Sequence, residues 1–128
     1  MPTGNEKIAP IDPRDVAAVA VKVLTTPGHE GKIYSPTGPE LLSYGEIVQK
    51  VSTLTGKPLE FVDVPEEKWR EDMLSAGVPL PVVESLVCYF TEGVKAGRIQ
   101  VTSTVADLLG RPAHTFDEWL RENAAALK

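Results

Sequence analysis

Apolar and polar positions along the chain fall into short runs whose period changes repeatedly. The most regular stretch begins at residue 32. Lys32, Ile33, Tyr34 and Ser35 form a β-type run that ends at the turn residues Thr37, Gly38 and Pro39. A helix is predicted to open just afterwards. Ser43 suits the N-cap, Glu46 three residues on closes a capping box, and Leu42 and Ile47 stand where a hydrophobic staple needs them. Within the helix Ile47, Val48, Val51 and Leu54 keep the spacing of one buried face, and Gly56 and Pro58 end it.

The flanking segments carry similar punctuation. Ile8 to Ile11 reads as a brief extended piece. Asp12 then suits an N-cap, Pro13 the first helical position and Asp15 the positive dipole end. The helix that follows is apolar on almost every side from residue 16 to 24, so it calls for burial on more than one face. Residues 59 to 64 alternate as a half-buried strand does. Next comes a helix over residues 66 to 76, stopped by Gly77. Another follows Pro79 and Pro81, with Val83, Leu86, Val87, Phe90 and Val94 at helical spacing. Residues 98 to 101 read as a short strand or extended link and residues 104 to 109 as a small helix. Thr115 with Glu118 opens a last helix, expected to bury Phe116, Trp119, Leu120 and Ala124. The order predicts one domain over residues 1–128 of class α/β (or α+β). It would have a small, partly parallel sheet of two to three short strands and five to six helices, with at least one sheet edge in need of a partner.

Composition narrows the function classes. With 42% apolar and 24% charged residues the chain should fold, and its net charge of −5 gives no cationic surplus for nucleic acid. The longest apolar stretch is broken by Lys22 and is too short to cross a bilayer, so no membrane association is expected. The first ten residues lack the apolar core of a signal peptide, and the single cysteine, Cys88, cannot form an internal disulfide; a cytoplasmic location is expected.

Candidate chemistry is sparse. Neither G-x-G-x-x-G nor G-x-x-x-x-G-K-[ST] occurs. His29 and His114 are distant from each other and lack metal-ligand spacing, so no metal is expected; His29 reads as a solvated loop side chain and His114 as a turn residue. Cys88 reads as a buried, inert thiol, and Glu66, Glu67, Glu71 and Asp72 as a solvated helix face. One constellation stands out. Trp69, Met73, Val83, Leu86 and Phe90 lie on two adjacent amphipathic helices and are the candidate lining of an apolar substrate pocket, although core packing explains each of them more plainly.

The sequence resembles a known family over roughly residues 6 to 127. The residues that carry the likeness are Ile11-Asp12-Pro13-Arg14-Asp15-Val16-Ala17, Thr26-Pro27-Gly28-His29-Glu30-Gly31-Lys32-Ile33-Tyr34, Thr37-Gly38-Pro39-Glu40 and Leu42-Ser43-Tyr44-Gly45-Glu46-Ile47. Thr55-Gly56-Lys57-Pro58, Leu109-Gly110-Arg111-Pro112 and Thr115-Phe116-Asp117-Glu118-Trp119 continue it. Together they are similar to the C-terminal, substrate-side part of NmrA-like proteins, which are atypical or extended short-chain dehydrogenase/reductases. The resemblance implies a partial Rossmann-like C-terminal region and, for full-length members, NAD(P) as cofactor. The dinucleotide fingerprint belongs to the half not represented in this sequence. The Tyr-x-x-x-Lys pair is also missing, because Tyr34, Tyr44 and Tyr89 are followed at the fourth position by Gly38, Val48 and Gly93. No catalytic or cofactor-binding residue therefore carries over, and this chain alone is not expected to bind the dinucleotide or to catalyse. Its expected partners are a second copy of itself or a polypeptide supplying the Rossmann half. The alternatives are a non-enzymatic interaction or regulatory module, or a binder of a small apolar ligand.

Overall fold

The structure, a computed structural model, describes residues 2–127. Its regular elements are set mainly by local capping chemistry. Helix α1 spans Pro13–Thr25, and the Asp12 carboxylate caps it by accepting the Arg14 backbone N–H at 2.8 Å. Helix α2 spans Tyr44–Thr55 behind the predicted capping box. The Glu46 N–H donates to Ser43 Oγ at 3.1 Å, and the Ser43 N–H donates to the Glu46 carboxylate at 2.7 Å. Gly56 closes α2 at φ 69°, the left-handed conformation that costs glycine nothing. Strand β1 (Lys7–Ile8) pairs with β2 (Leu42–Ser43), with Lys7 opposite Ser43 and Ile8 opposite Leu42. Thus β2 runs directly into α2.

The remaining helices are α3 (Glu66–Ser75), α4 (Leu80–Cys88), α5 (Thr104–Leu109), α6 (Phe116–Glu122) and α7 (Ala124–Leu127). Beyond Cys88, helix α4 widens into a π-helical segment, Tyr89–Lys95, before Gly97 turns the chain. Thr115 and Glu118 form the second capping box, at the start of α6.

The α/β class stands, with seven α-helices among the described residues in place of the expected five to six. The sheet differs from expectation: it has two strands and is antiparallel, not partly parallel. Residues 32–35 and 59–64 are both strands by their sequence, yet they lie outside the sheet without regular secondary structure, as do residues 98–101. Strand propensity needs a neighbouring ladder to express itself, and Ile33, 94% exposed, has none among the described residues. Residues 32–35 are instead tied from one side. The Ser35 carbonyl accepts from the Thr102 and Thr104 hydroxyls at 2.7 and 3.3 Å, and Thr37 Oγ1 accepts the Thr102 N–H at 2.9 Å. At residues 59–64, Leu59 is exposed, and the Asp63 carboxylate accepts the N–H groups of Thr3 and Gly4.

The main core lies between α3, α4 and the π-helical segment, where Trp69, Val83, Val87, Phe90 and Val94 are buried together. The Trp69 and Phe90 rings meet edge to face at 5.5 Å, and Tyr44 at the start of α2 meets Phe90 the same way at 6.2 Å. Elsewhere α1 packs on α5 through buried Val19 and Val105, and α2 packs on α6 with Leu120 buried. Phe116, Trp119 and Ala124 are only half-buried.

The capping box at α2 carries an expected effect. Ser43→Ala removes the acceptor of the Glu46 N–H but keeps the backbone N–H that the Glu46 carboxylate accepts, so stability should fall by about 1 kcal/mol. Urea unfolding would show a lower midpoint with an unchanged slope; an unmoved midpoint would mean that the box contributes nothing.

Candidate functional site

The five residues singled out in the sequence separate into two groups. Trp69, Val83 and Phe90 are buried in the main core, and Met73 packs against that core from the outside. Leu86 points away from it and is 36% exposed, alongside exposed Val82 and Tyr89. Helical rotation explains the split: positions 83, 87 and 90 share one stripe, whereas 82, 86 and 89 share a second one about 100° around the helix. None of the five lines the cavity between α2 and α6 or the one between the segment before α1 and the start of α6.

The larger cavity, about 590 Å³, opens between α2 and α6. Leu42, Leu54 and Leu120 form its floor, and Lys50 Nζ bridges across it to the Asp117 carboxylate at 2.7 Å. The smaller, about 230 Å³, lies where the segment before α1 meets the start of α6. Ile11 and the rings of Phe116 and Trp119 line it, the two rings nearly parallel with centroids 5.9 Å apart, and His114 closes one side.

Two buried carboxylates stand behind this smaller cavity. The side chain of Asp15 is fully inaccessible. One of its oxygens accepts the His114 backbone N–H at 2.7 Å; the other takes the Arg111 guanidinium and His114 Nδ1, each at 2.8 Å. Because a carboxylate can only accept, His114 Nδ1 carries the proton in this contact. Burial alone would push the Asp15 carboxyl up, but the His114 backbone N–H, Arg111 and the His114 ring outweigh it and hold the carboxyl below its usual range. At Asp12 the Arg14 guanidinium holds the carboxyl down at about 2. Arg14 also reaches Glu122 at 2.7 Å, joining the start of α1 to the end of α6. Sequence reasoning gave Asp15 only a helix-dipole role and made His114 a turn residue. Nothing local signals a partnership across 99 positions.

Three further expectations need correction or comment. His29 is not simply solvated: it is half-buried, with Nε2 at 2.9 Å from the Thr26 hydroxyl and Nδ1 at 2.6 Å from the Tyr34 hydroxyl. Cys88 is exposed, not buried, because Val87 and Phe90 take the inward stripe. Among the described residues no group of His, Cys, Asp or Glu side chains could hold a metal ion, and no helix is long and apolar enough to cross a membrane.

Several large apolar side chains are exposed. On α1 only Val19 of the apolar residues is buried; Val21 is exposed and Leu24 is 83% exposed. Ile33 and Val62 are exposed as well.

No family model matches the chain. Individual proteins do. The chain is 37% identical over 126 residues to an NAD(P)H azoreductase of Xenophilus azovorans, a match that covers 98% of this chain and 44% of the relative. It is 38% identical over 123 residues to a (4-alkanoyl-5-oxo-2,5-dihydrofuran-3-yl)methyl phosphate reductase of Streptomyces griseus, covering 96% and 43%. Among solved structures, the NADPH-dependent quinone oxidoreductase QOR2 of Escherichia coli in complex with NADPH superposes with a TM-score of 0.81 at 26% identity, over 94% of this chain and 42% of that one. The chain therefore spans less than half the length of the relatives it matches. Over almost its whole length the chain is similar to the C-terminal part of NmrA-like NAD(P) reductases.

Proposed function

We propose that the chain is the substrate-side portion of an NAD(P)H-dependent reductase. A Rossmann portion grips the dinucleotide and covers the bare faces of α1 and of residues 32–35. The observation that carries this reading is the match along almost the whole chain to less than half of an NAD(P)H azoreductase, in a sequence without a glycine-rich phosphate loop. The uncovered apolar residues Val21, Leu24 and Ile33 support it.

In this arrangement the hydride comes from the cofactor on the other portion, and the present residues bind and shield the acceptor. Trp69, Val83 and Phe90 fix the α3–α4 pair. Leu86 and the half-buried Met73 offer apolar contact to a small aromatic acceptor, of which a quinone or an azo compound is the model. In the absence of a Rossmann portion the bare face of α1 should pair two copies of the chain. Exposed, unpaired Cys88 suits a reducing compartment, and we place the protein in the cytoplasm.

Calorimetric titration tests the division of labour. NADPH added to this chain alone should give no saturable heat up to millimolar concentration. Adding the dinucleotide-binding portion of a relative should produce binding and NADPH-dependent reduction of a quinone. Micromolar NADPH affinity of the chain by itself would contradict the proposal.

A further inference from the structure

We propose that the 230 Å³ cavity between the segment before α1 and the start of α6 binds an uncharged aromatic molecule of one or two rings that carries a single hydroxyl or N–H donor. The walls supply apolar contact from Ile11 and from the near-parallel rings of Phe116 and Trp119. The cavity is smaller than the pockets that enclose drug-sized ligands, so one substituted ring or a bicycle such as indole fills it.

Of the polar side chains at the site, Thr115 is engaged by Glu118 in the α6 capping box and Asp12 by Arg14, which leaves His114. His114 lines the cavity, and its Nδ1 is committed to the buried Asp15 carboxylate at 2.8 Å. The proton held at Nδ1 leaves Nε2 as an acceptor in the neutral ring, and no described residue bonds to Nε2. Asp15 fixes the tautomer and the ring plane, as outer partners of binding histidines do. The cavity therefore offers one oriented acceptor among aromatic faces.

Charge selects a neutral occupant. Asp12, which also lines the cavity, is fully engaged: it accepts Arg14 Nη2 at 2.7 Å, Arg14 Nε at 3.0 Å and the Arg14 backbone N–H at 2.8 Å. Asp15 is balanced by Arg111. An anion would face the Asp12 carboxylate, and a cation would have to displace the guanidinium bound to it. This site is independent of the reductase reading, since this chain supplies every wall.

Titration with phenol and with anisole, followed by NMR at the Trp119 indole and the His114 imidazole, is the test. Phenol should shift both resonances saturably. Anisole, the same ring with its donor methylated, should bind about tenfold more weakly because Nε2 is left unpaired. Both probes act on the unaltered protein, so folding is not in question. Equal affinities would overturn the role of the imidazole. Absence of saturable shifts at Trp119 and His114 with either probe would overturn the site.

Discussion

Gly38→Ala is expected to destabilise the chain more than any other single methyl addition to a glycine. A Cβ built at Gly38 lies 1.8 Å from the Pro10 carbonyl oxygen and 2.8 Å from its carbon, and both are backbone atoms. No side-chain rotation relieves such a clash. The Thr37–Gly38–Pro39 turn would have to separate from the segment leading into α1, and the Thr37 and Ser35 bonds to Thr102 would go with it. Ordinary overpacking costs about 1–3 kcal/mol and sometimes more; backbone against backbone should place this variant on the order of 4 kcal/mol. Gly45→Ala is the control. Its Cβ meets only Ser43 Oγ, at 3.8 Å, and alanine inside a helix should gain up to about 1 kcal/mol. Thermal unfolding that placed both variants near the parent would contradict the close approach.

Asp15→Asn should be the most damaging change at the start of α1. The amide keeps the shape but loses the charge that holds Arg111 and the His114 ring, and one of its ends now presents a donor to donors. Breaking a buried pair by removing one partner costs about 3–5 kcal/mol. Arg111 and His114 are each part exposed and can return to water, so about 3 kcal/mol is expected, a drop in Tm on the order of 10 °C. Acid has a related effect. Asp12 and Asp15 both have folded-state carboxyls below the unfolded value near 3.9. Their contribution is therefore present in full above that value and is lost as pH falls through the folded one. With Asp12 at about 2, stability should decline between roughly pH 4 and pH 2. Asp15→Asn should flatten part of that decline, and an identical acid limb in both proteins would show that Asp15 is not coupled to folding.

Elements set within a few residues were legible in the sequence. Ser43 with Glu46, Thr115 with Glu118, and Asp12 with Pro13 each need only a turn of chain to work, and each stands as read. Strands were not legible in the same way, because residues 32–35 and 59–64 have strand chemistry but no ladder here. Lys7–Ile8 pairs instead, because β2 brings Leu42 and Ser43 alongside. Helix periodicity grouped Leu86 with Val83, Val87 and Phe90, yet Leu86 is part exposed while the other three are buried, and the same rotation leaves Cys88 exposed. The Asp15–His114–Arg111 contact joins the two ends of the chain, where a single sequence carries no pairwise signal.

Amide hydrogen exchange at Ile33, Tyr34 and Ser35 tests most directly whether this chain is one portion of a reductase awaiting another. Among the described residues none of these three amides has a hydrogen-bond acceptor, so in the chain alone they should exchange as fast as unprotected peptide. Mixed with the dinucleotide-binding portion of the azoreductase relative, they should slow by on the order of a hundredfold as the segment enters a sheet. Rapid exchange that the added portion leaves unchanged, in a chain that is otherwise folded, would contradict it.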